Sequence, residues 1–273
     1  MPHLAGREFR NLLTVSAVQT AYLERRIDEA DFPLRRSDIE ALQETYPDHD
    51  VSARPFGFTV DAWFNFNPNW PGEDGKGNPW VDRRVAFAFH LAIDRARLAD
   101  LIYLGDAQLS ANALTPWFAG PWAPTEDDLA SWPGFRADRE GDIAEARALL
   151  DAAAMDDGTA FVLLVPESWE QANRGVRDVM RMMYEQATER AVSLRVEPSE
   201  VIARRLAEGT LPGKAPSWSV PPEGIDPTLA FAESLLPNAA RNFLHYDYAP
   251  VPILWTGCRS RWTWSSGRIW RSG

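Results

Sequence analysis

Apolar positions recur along the chain at two different periods, and the switches between them set out alternating strands and helices. Residues 7–15, REFRNLLTV, are expected as a strand, followed by a short helix over 16–26 that Ser16 can cap. IDEADF (27–32) returns to extended chain, and 37–47 reads as a second short helix, capped by Ser37 or Asp38 and stopped at Pro47. Aromatic and β-branched residues partly alternate through 49–68, HDVSARPFGFTVDAWFNFNP, which predicts one long strand or a strand pair. Residues 69–79, NWPGEDGKGNP, are loop by composition.

The best-specified stretch is 78–107, NPWVDRRVAFAFHLAIDRARLADLIYLGDA. Asp82 stands at an N-cap position, and Val85, Ala88, Phe89, Ala92 and Ile93 fall on one helical face. Asp94 can cap a second helix whose apolar residues are Leu98, Leu101 and Ile102, with Gly105 as its stop. LTPWFAGPWAP (114–124) and SWPGF (131–135) read as Pro- and Trp-rich loops. A helix over 138–155 buries Ile143, Ala146, Leu149 and Leu150, and FVLLVPES (161–168) is a continuous apolar run, hence a buried strand. One long amphipathic helix is expected from Trp169 to Arg190, with Val176, Val179, Met180, Met183 and Tyr184 inward. VSLRVEPS (192–199) is a strand and Ser199–Gly209 a helix, after which PGKAPSWSVPPEGIDPTLAF (212–231) reads as loop and short helix. Strand–helix alternation of this kind makes an α/β layered fold.

The 273 residues leave room for one large domain or two ordinary ones. An apolar share of 45% is enough for a sizeable core, and a net charge of −11 argues against a nucleic-acid partner, whose phosphates require a basic surface. There is no run of 18 apolar residues for a membrane span, and Cys258, the single cysteine, allows no internal disulfide.

Candidate chemistry is sparse. His3, His49, His90 and His245 have no metal-ligand spacing, and His90 is better read as a helix-surface or packed histidine than as a ligand. No G-x-S-x-G elbow occurs. GEDGKGN (72–78) lacks phosphate-loop spacing and reads as a flexible turn; TEDDL (125–129) reads as a solvated helix start rather than a cation site. No catalytic residue, metal or cofactor is expected.

The order of these pieces resembles the extracellular solute-binding proteins of family 5, the oligopeptide-binding type of ABC-importer receptor. The 78–117 stretch is similar to that family's helix pair, Gly turn and Pro-rich segment. Residues 6–32 resemble its strand and helix ending in "G-ID", with Arg25 and Arg26 where Gly and Glu are usual. Residues 138–166, 192–209 and NFLHYD (242–247) match later segments in the same order, so the resemblance runs over about residues 5–247. It implies a periplasmic-binding-protein-like clamshell (type II, family 5), here partial. Residues 1–68 would be the latter part of the first lobe with its hinge strand, and 69–247 most of the second lobe.

In such receptors a ligand touching both lobes stabilises the closed form that the permease recognises. The resemblance implies a monomer that takes a peptide or other small polar solute outside the cytoplasmic membrane. It would hand that solute to the permease subunits, meeting the membrane only through them. The start resembles the middle of the family pattern, so the chain is expected to be truncated at its N-terminus, without signal peptide, and to bind little or nothing alone. A cytoplasmic ligand-sensing domain of a transcription regulator with the same fold is the alternative.

In peptide-binding relatives a Trp stacks on the ligand and an Asp three residues on pairs with its free amine. Here Trp218 is present, either to contact the ligand or simply as a packed residue, but Pro221 stands at the Asp position, so Glu223 or Asp226 would have to answer a cation. Asn65 and Asn67, on the approach to the hinge, and Asn242 are further ligand-binding candidates, with a purely structural turn role open for each. Residues 248–273 carry four Arg, no acid and four Trp when Trp255 is included. Two readings of this tail stand: a shifted reading frame, or a disordered basic tail.

Overall fold

The computed structural model describes residues 6–12, 14–30, 36–50, 59–105, 107–111, 123–156, 158–219 and 232–248, with the backbone alone at 15, 36–38, 262–265 and 268–271. The chain divides into two compact units, Met1–Phe56 and Gly57–Gly273.

In the first unit the expected strand over 7–15 is absent: 6–12 is irregular, and helix α1 already runs Val15–Leu23. Its N-cap is Thr14, not Ser16, because the Thr14 hydroxyl accepts the Ala17 N–H at 3.1 Å while Ser16 lies inside the first turn. Helix α2 spans Arg36–Thr45, so Ser37 and Asp38 are likewise in its first turn rather than at its cap. Tyr22 and Tyr46 both meet His49, the former through a 2.9 Å contact between its hydroxyl and Nδ1, the latter by ring stacking at 4.8 Å.

The second unit is built on a four-stranded mixed sheet in the order β1-β4-β2-β3, where β1 is Thr59–Phe64, β2 Phe161–Pro166, β3 Val192–Glu197 and β4 Gly213–Ser219. Strands β2 and β3 pair in parallel, β4 joins β2 in parallel, and β1 closes antiparallel onto β4. Of the strand expected over 49–68, 59–64 is realised and 51–58 lies outside the described residues.

The helical corner forms as its caps dictate. Asp82 accepts the Arg84 N–H and starts α3 (Arg83–Ala92); Asp94 accepts the Arg97 N–H and starts α4 (Arg95–Tyr103). Val85, Ala88, Phe89, Ala92 and Ile93 are buried, but Leu101 is exposed: α4 turns only Leu98 and Ile102 to the core. A short α5 (Glu126–Ala130) carries a capping box between Thr125 and Asp128, which absorbs the TEDDL acids as a helix start. Helix α6 is Arg139–Ala153.

The helix expected from Trp169 to Arg190 is two: α7 (Glu167–Ala172) and α8 (Val176–Thr188). The break is local chemistry, for the Asn173 amide bonds back to the Trp169 carbonyl at 3.2 Å and Gly175 adopts a φ of 84°. Helix α9 (Ser199–Ala207) returns the chain to β4.

Strand β4 is the main correction, since 212–219 was expected as loop. It is an interior strand and all but Trp218 of it is buried. The main core lies between one face of the sheet (Phe161, Leu163, Val165, Leu194, Ala215) and helices α3, α6 and α8. A smaller cluster, Val162 and Leu164 with Ile202 and Leu211, seats α9 on the opposite face. In the tail, β5 (Trp262–Ser265) and β6 (Arg268–Arg271) pair antiparallel.

Candidate ligand-binding site

Trp218 is half-exposed, the one residue of β4 that is not buried, at the strand's carboxyl end. Its ring meets the edge of buried Trp169 at 5.0 Å and 81°, and its indole N–H donates to the Tyr103 hydroxyl at 3.1 Å. Trp169 lies just past the carboxyl end of β2, and Tyr103 ends α4. Three elements therefore converge where parallel strands of an open α/β sheet end, the place where such folds take ligands. Burial pushes the Tyr103 phenol up, the Trp218 bond opposing, which keeps it neutral and available to the indole. The Trp169 indole N–H is buried and has no hydrogen-bond partner among the described residues.

The facing of Trp218 depends on a bulge. Asp61 pairs with Ser217 and Trp63 with Lys214, so β1 advances by two residues where β4 advances by three. The extra residue places Lys214, Ser217 and Ser219 on the face of Asp61 and Trp63, while Trp218 stands opposite Val60 on the core face. On that polar face the Lys214 ammonium donates to Asp61 Oδ1 (3.2 Å), Ser219 Oγ (2.6 Å) and the carbonyls of Ser217 (3.3 Å) and Trp218 (3.4 Å). It also lies 4.4 Å from the Trp63 ring centre, and Ser219 Oγ donates to Asp61. Burial pulls the ammonium below its ordinary range, with Asp61 opposing. Sequence reasoning missed this cluster. Lys214 and Asp61 are 153 residues apart, and an isolated Lys between Gly213 and Ala215 gives no local signal.

The asparagines sit elsewhere and face main chain. Asn65 is buried; its Nδ2 and that of Asn67 both donate to the Gly209 carbonyl, at 3.0 and 3.2 Å, and its Oδ1 accepts the Asn67 N–H. Asn78 completes the group, donating to the carbonyls of Asn65 and Asn67. Gly209 has a φ of 66°, and a Cβ there would lie 2.6 Å from His245 Nε2 and 3.0 Å from Asn67 Nδ2, so a larger residue would strain the turn and push those side chains aside. Asn242 ties its own loop, exchanging bonds with the Tyr246 carbonyl and N–H, both at 2.8 Å. Glu223 and Asp226, with Pro221, lie outside the described residues.

His90 is packed rather than ligating. Its Nε2–H donates to the Pro133 carbonyl and its Nδ1 accepts from Arg95, which fixes the tautomer. Arg95 and Arg139 satisfy carbonyls at the end of α3, Arg95 reaching His90 and Ile93 and Arg139 reaching Leu91 and Ala92. Among the described residues no three His, Cys, Asp or Glu side chains gather to hold a metal ion. A groove of about 690 Å³ opens far from Trp218, at the amino ends of β2 and β3, but its Arg177 and Arg181 already face Glu170 and Asp178 at 3.8 Å.

The family description "Bacterial extracellular solute-binding proteins, family 5 Middle" matches residues 13–208. The chain belongs to this family. Solved structures agree in fold. The periplasmic murein tripeptide-binding protein MppA, in its unliganded open form, superposes with a TM-score of 0.61 at 20% identity, over 89% of this chain and 43% of its own. The substrate-binding protein CtaP of Listeria monocytogenes gives 0.64 at 18%, over 91% and 46%. OppA of Haemophilus influenzae in complex with RPPGFSPFR gives 0.59 at 15%, over 90% and 44%. This solute-binding-family chain therefore spans less than half the length of these structures, as the partial α/β clamshell expected of it. No curated protein sequence matches it. Among the described residues no helix is long and apolar enough to cross a membrane.

Proposed function

We propose that this family 5 chain forms part of the substrate-binding component of an ABC importer and carries one wall of a cleft for a peptide or similar polar solute. It works outside the cytoplasmic membrane, passes solute to permease subunits, and does no bond chemistry of its own. Residues 1–68 supply the latter part of one lobe with its hinge strand, and 69–247 most of the other. The observation that carries this reading is Trp218, an indole left half-exposed at the carboxyl ends of β4 and β2 and held by Trp169 and Tyr103. Its free face offers stacking, which tolerates varied side chains.

Glu223 and Asp226 answer a ligand ammonium, in place of the carboxylate that Pro221 displaces. Asn65, Asn67 and Asn242 serve the site by fixing its supporting loops, since their amides are engaged by main chain. The test is an NMR titration of the chain with ¹⁵N-labelled tryptophan, using tripeptides with free amino termini and their N-acetylated counterparts. One wall alone should bind weakly, with Kd of about 1 mM. The Trp218 indole resonance, assigned by its loss in Trp218→Phe, should shift saturably, and less with acetylated peptides. A Trp218 signal that stays fixed while the rest of the spectrum responds would sink the reading.

A further inference from the structure

The cluster behind Trp218 contains more than packing requires. Lys214 is 4% exposed and Asp61 12% at their side chains. A buried ion pair is a poor way to stabilise a sheet, because well-packed apolar residues of the same size often do as well or better. The Lys214 contacts, however, are not scattered. Ser217 O, Trp218 O and Ser219 Oγ all lie within one residue of the exposed indole, and Asp61 is the cross-strand partner of Ser217. The bulge takes Ala215 and Pro216 out of the ladder, and Pro216 has no N–H to give it. A side-chain ammonium with three donors closes what the backbone leaves open.

We infer that Lys214 is a positioning residue for the ligand wall: by drawing Asp61, Ser219 and the Ser217 and Trp218 carbonyls together, it fixes the bulged end of β4 so that the Trp218 indole stays against Tyr103 and Trp169. This deepens the proposed ligand role of Trp218, on which its functional meaning rests, although its physical test needs no ligand. Lys214 acts through the main chain and touches no solute. The preorganised indole then meets its ligand without an ordering cost.

The experiment measures solvent exchange of the Trp218 indole N–H in the unliganded chain, beside exchange of the Leu163 and Leu194 backbone amides as markers of the core. The variant is Lys214→Met with Asp61→Asn, which removes the charge without leaving an orphan carboxylate. The indole should exchange at least about tenfold faster, as expected when one hydrogen bond of ordinary strength is lost, with the core amides unchanged. An unchanged indole, or indole and core amides accelerating together, overturns the inference and leaves Lys214 a general stabiliser. Should the double variant fail to fold, Ser219→Ala removes only one of the ammonium's four partners and is read by the same two criteria. A failed peptide titration would remove the ligand role of Trp218 and leave this result standing; a failed exchange experiment would leave the titration standing.

Discussion

His90 shows how a single side chain becomes committed to the folded state. Burial, then the neighbouring Arg95 charge, pull its imidazole down to about 4 from an ordinary 6.5, so it is neutral when folded and protonates readily when unfolded. The unfolded chain therefore binds the extra proton first, and stability falls as pH drops from about 6.5 towards 4. Between pH 7 and pH 5 the loss from this residue should be about 2 kcal/mol. Urea midpoints at the two pH values would read it, and His90→Asn, neutral throughout, should show a shallower dependence. Equal slopes in both proteins would mean that His90 titrates freely.

Arg95 is part of the same knot. Burial pulls its guanidinium down to about 10, which leaves it charged at neutral pH, and it lies 4.5 Å from the Phe135 ring centre while donating to the Gly134 carbonyl. The composition of the sequence could not show this. His90 was legible as a helix-surface or packed residue, but of its partners only Arg95 is near in sequence, and Pro133 and Phe135 are brought in by tertiary packing.

At the scale of elements, what was legible had a local cause. Asp82 and Asp94 bond the N–H groups that their positions suggested, and each contributes about 1 kcal/mol to its helix start. The Phe161–Pro166 run is a buried strand because both its faces are covered, one by the main core and one by α9. What was not legible had a non-local cause. In β4, Gly213, Lys214 and Pro216 are all poor strand residues, and each is tolerated for a reason found on another strand. Lys214 is neutralised by Asp61, and Pro216 sits in the bulge.

Gly213 is needed because a Cβ there would lie 2.5 Å from Leu163 Cδ2 and 3.1 Å from the Trp63 carbonyl. Gly213→Ala should accordingly cost about 2 kcal/mol of unfolding free energy by overpacking. Gly6→Ala, with nothing within 4 Å, serves as the control and should cost almost nothing. A chemical denaturation curve for each variant checks this, and equal curves would mean that β4 is not the tight interior strand described. The helix break at Asn173–Gly175 has the same lesson on a smaller scale: the apolar period continues through it, but the side-chain bond to Trp169 and the left-handed glycine end one helix and begin another.

At the scale of the molecule, the order of weak motifs carried more than any one of them. Fold class and family were expected from five degenerate segments in order between residues 6 and 247, and the family match covers 13–208 of that span. The site was only partly legible. Trp218 was identified from the resemblance, whereas its support from Tyr103, Trp169 and the Lys214 cluster depends on a strand that composition disguised. Glu223 and Asp226 lie outside the described residues and were singled out from the resemblance alone.

A receptor of this kind works by differential affinity, the ligand favouring whichever form it touches on two sides. The proposed wall would contribute one such side, with the Trp218 indole as its contact. Hydroxyl-radical footprinting with and without a large excess of tripeptide tests that claim most directly, reading tryptophan oxidation by mass spectrometry. Trp132 is the internal reference, because it is 38% exposed against 40% for Trp218 and belongs to the loop after α5 rather than to β4. The account predicts that peptide suppresses oxidation of Trp218 and leaves Trp132 unaffected. Equal oxidation of Trp218 in both conditions, or protection confined to Trp132, would contradict it.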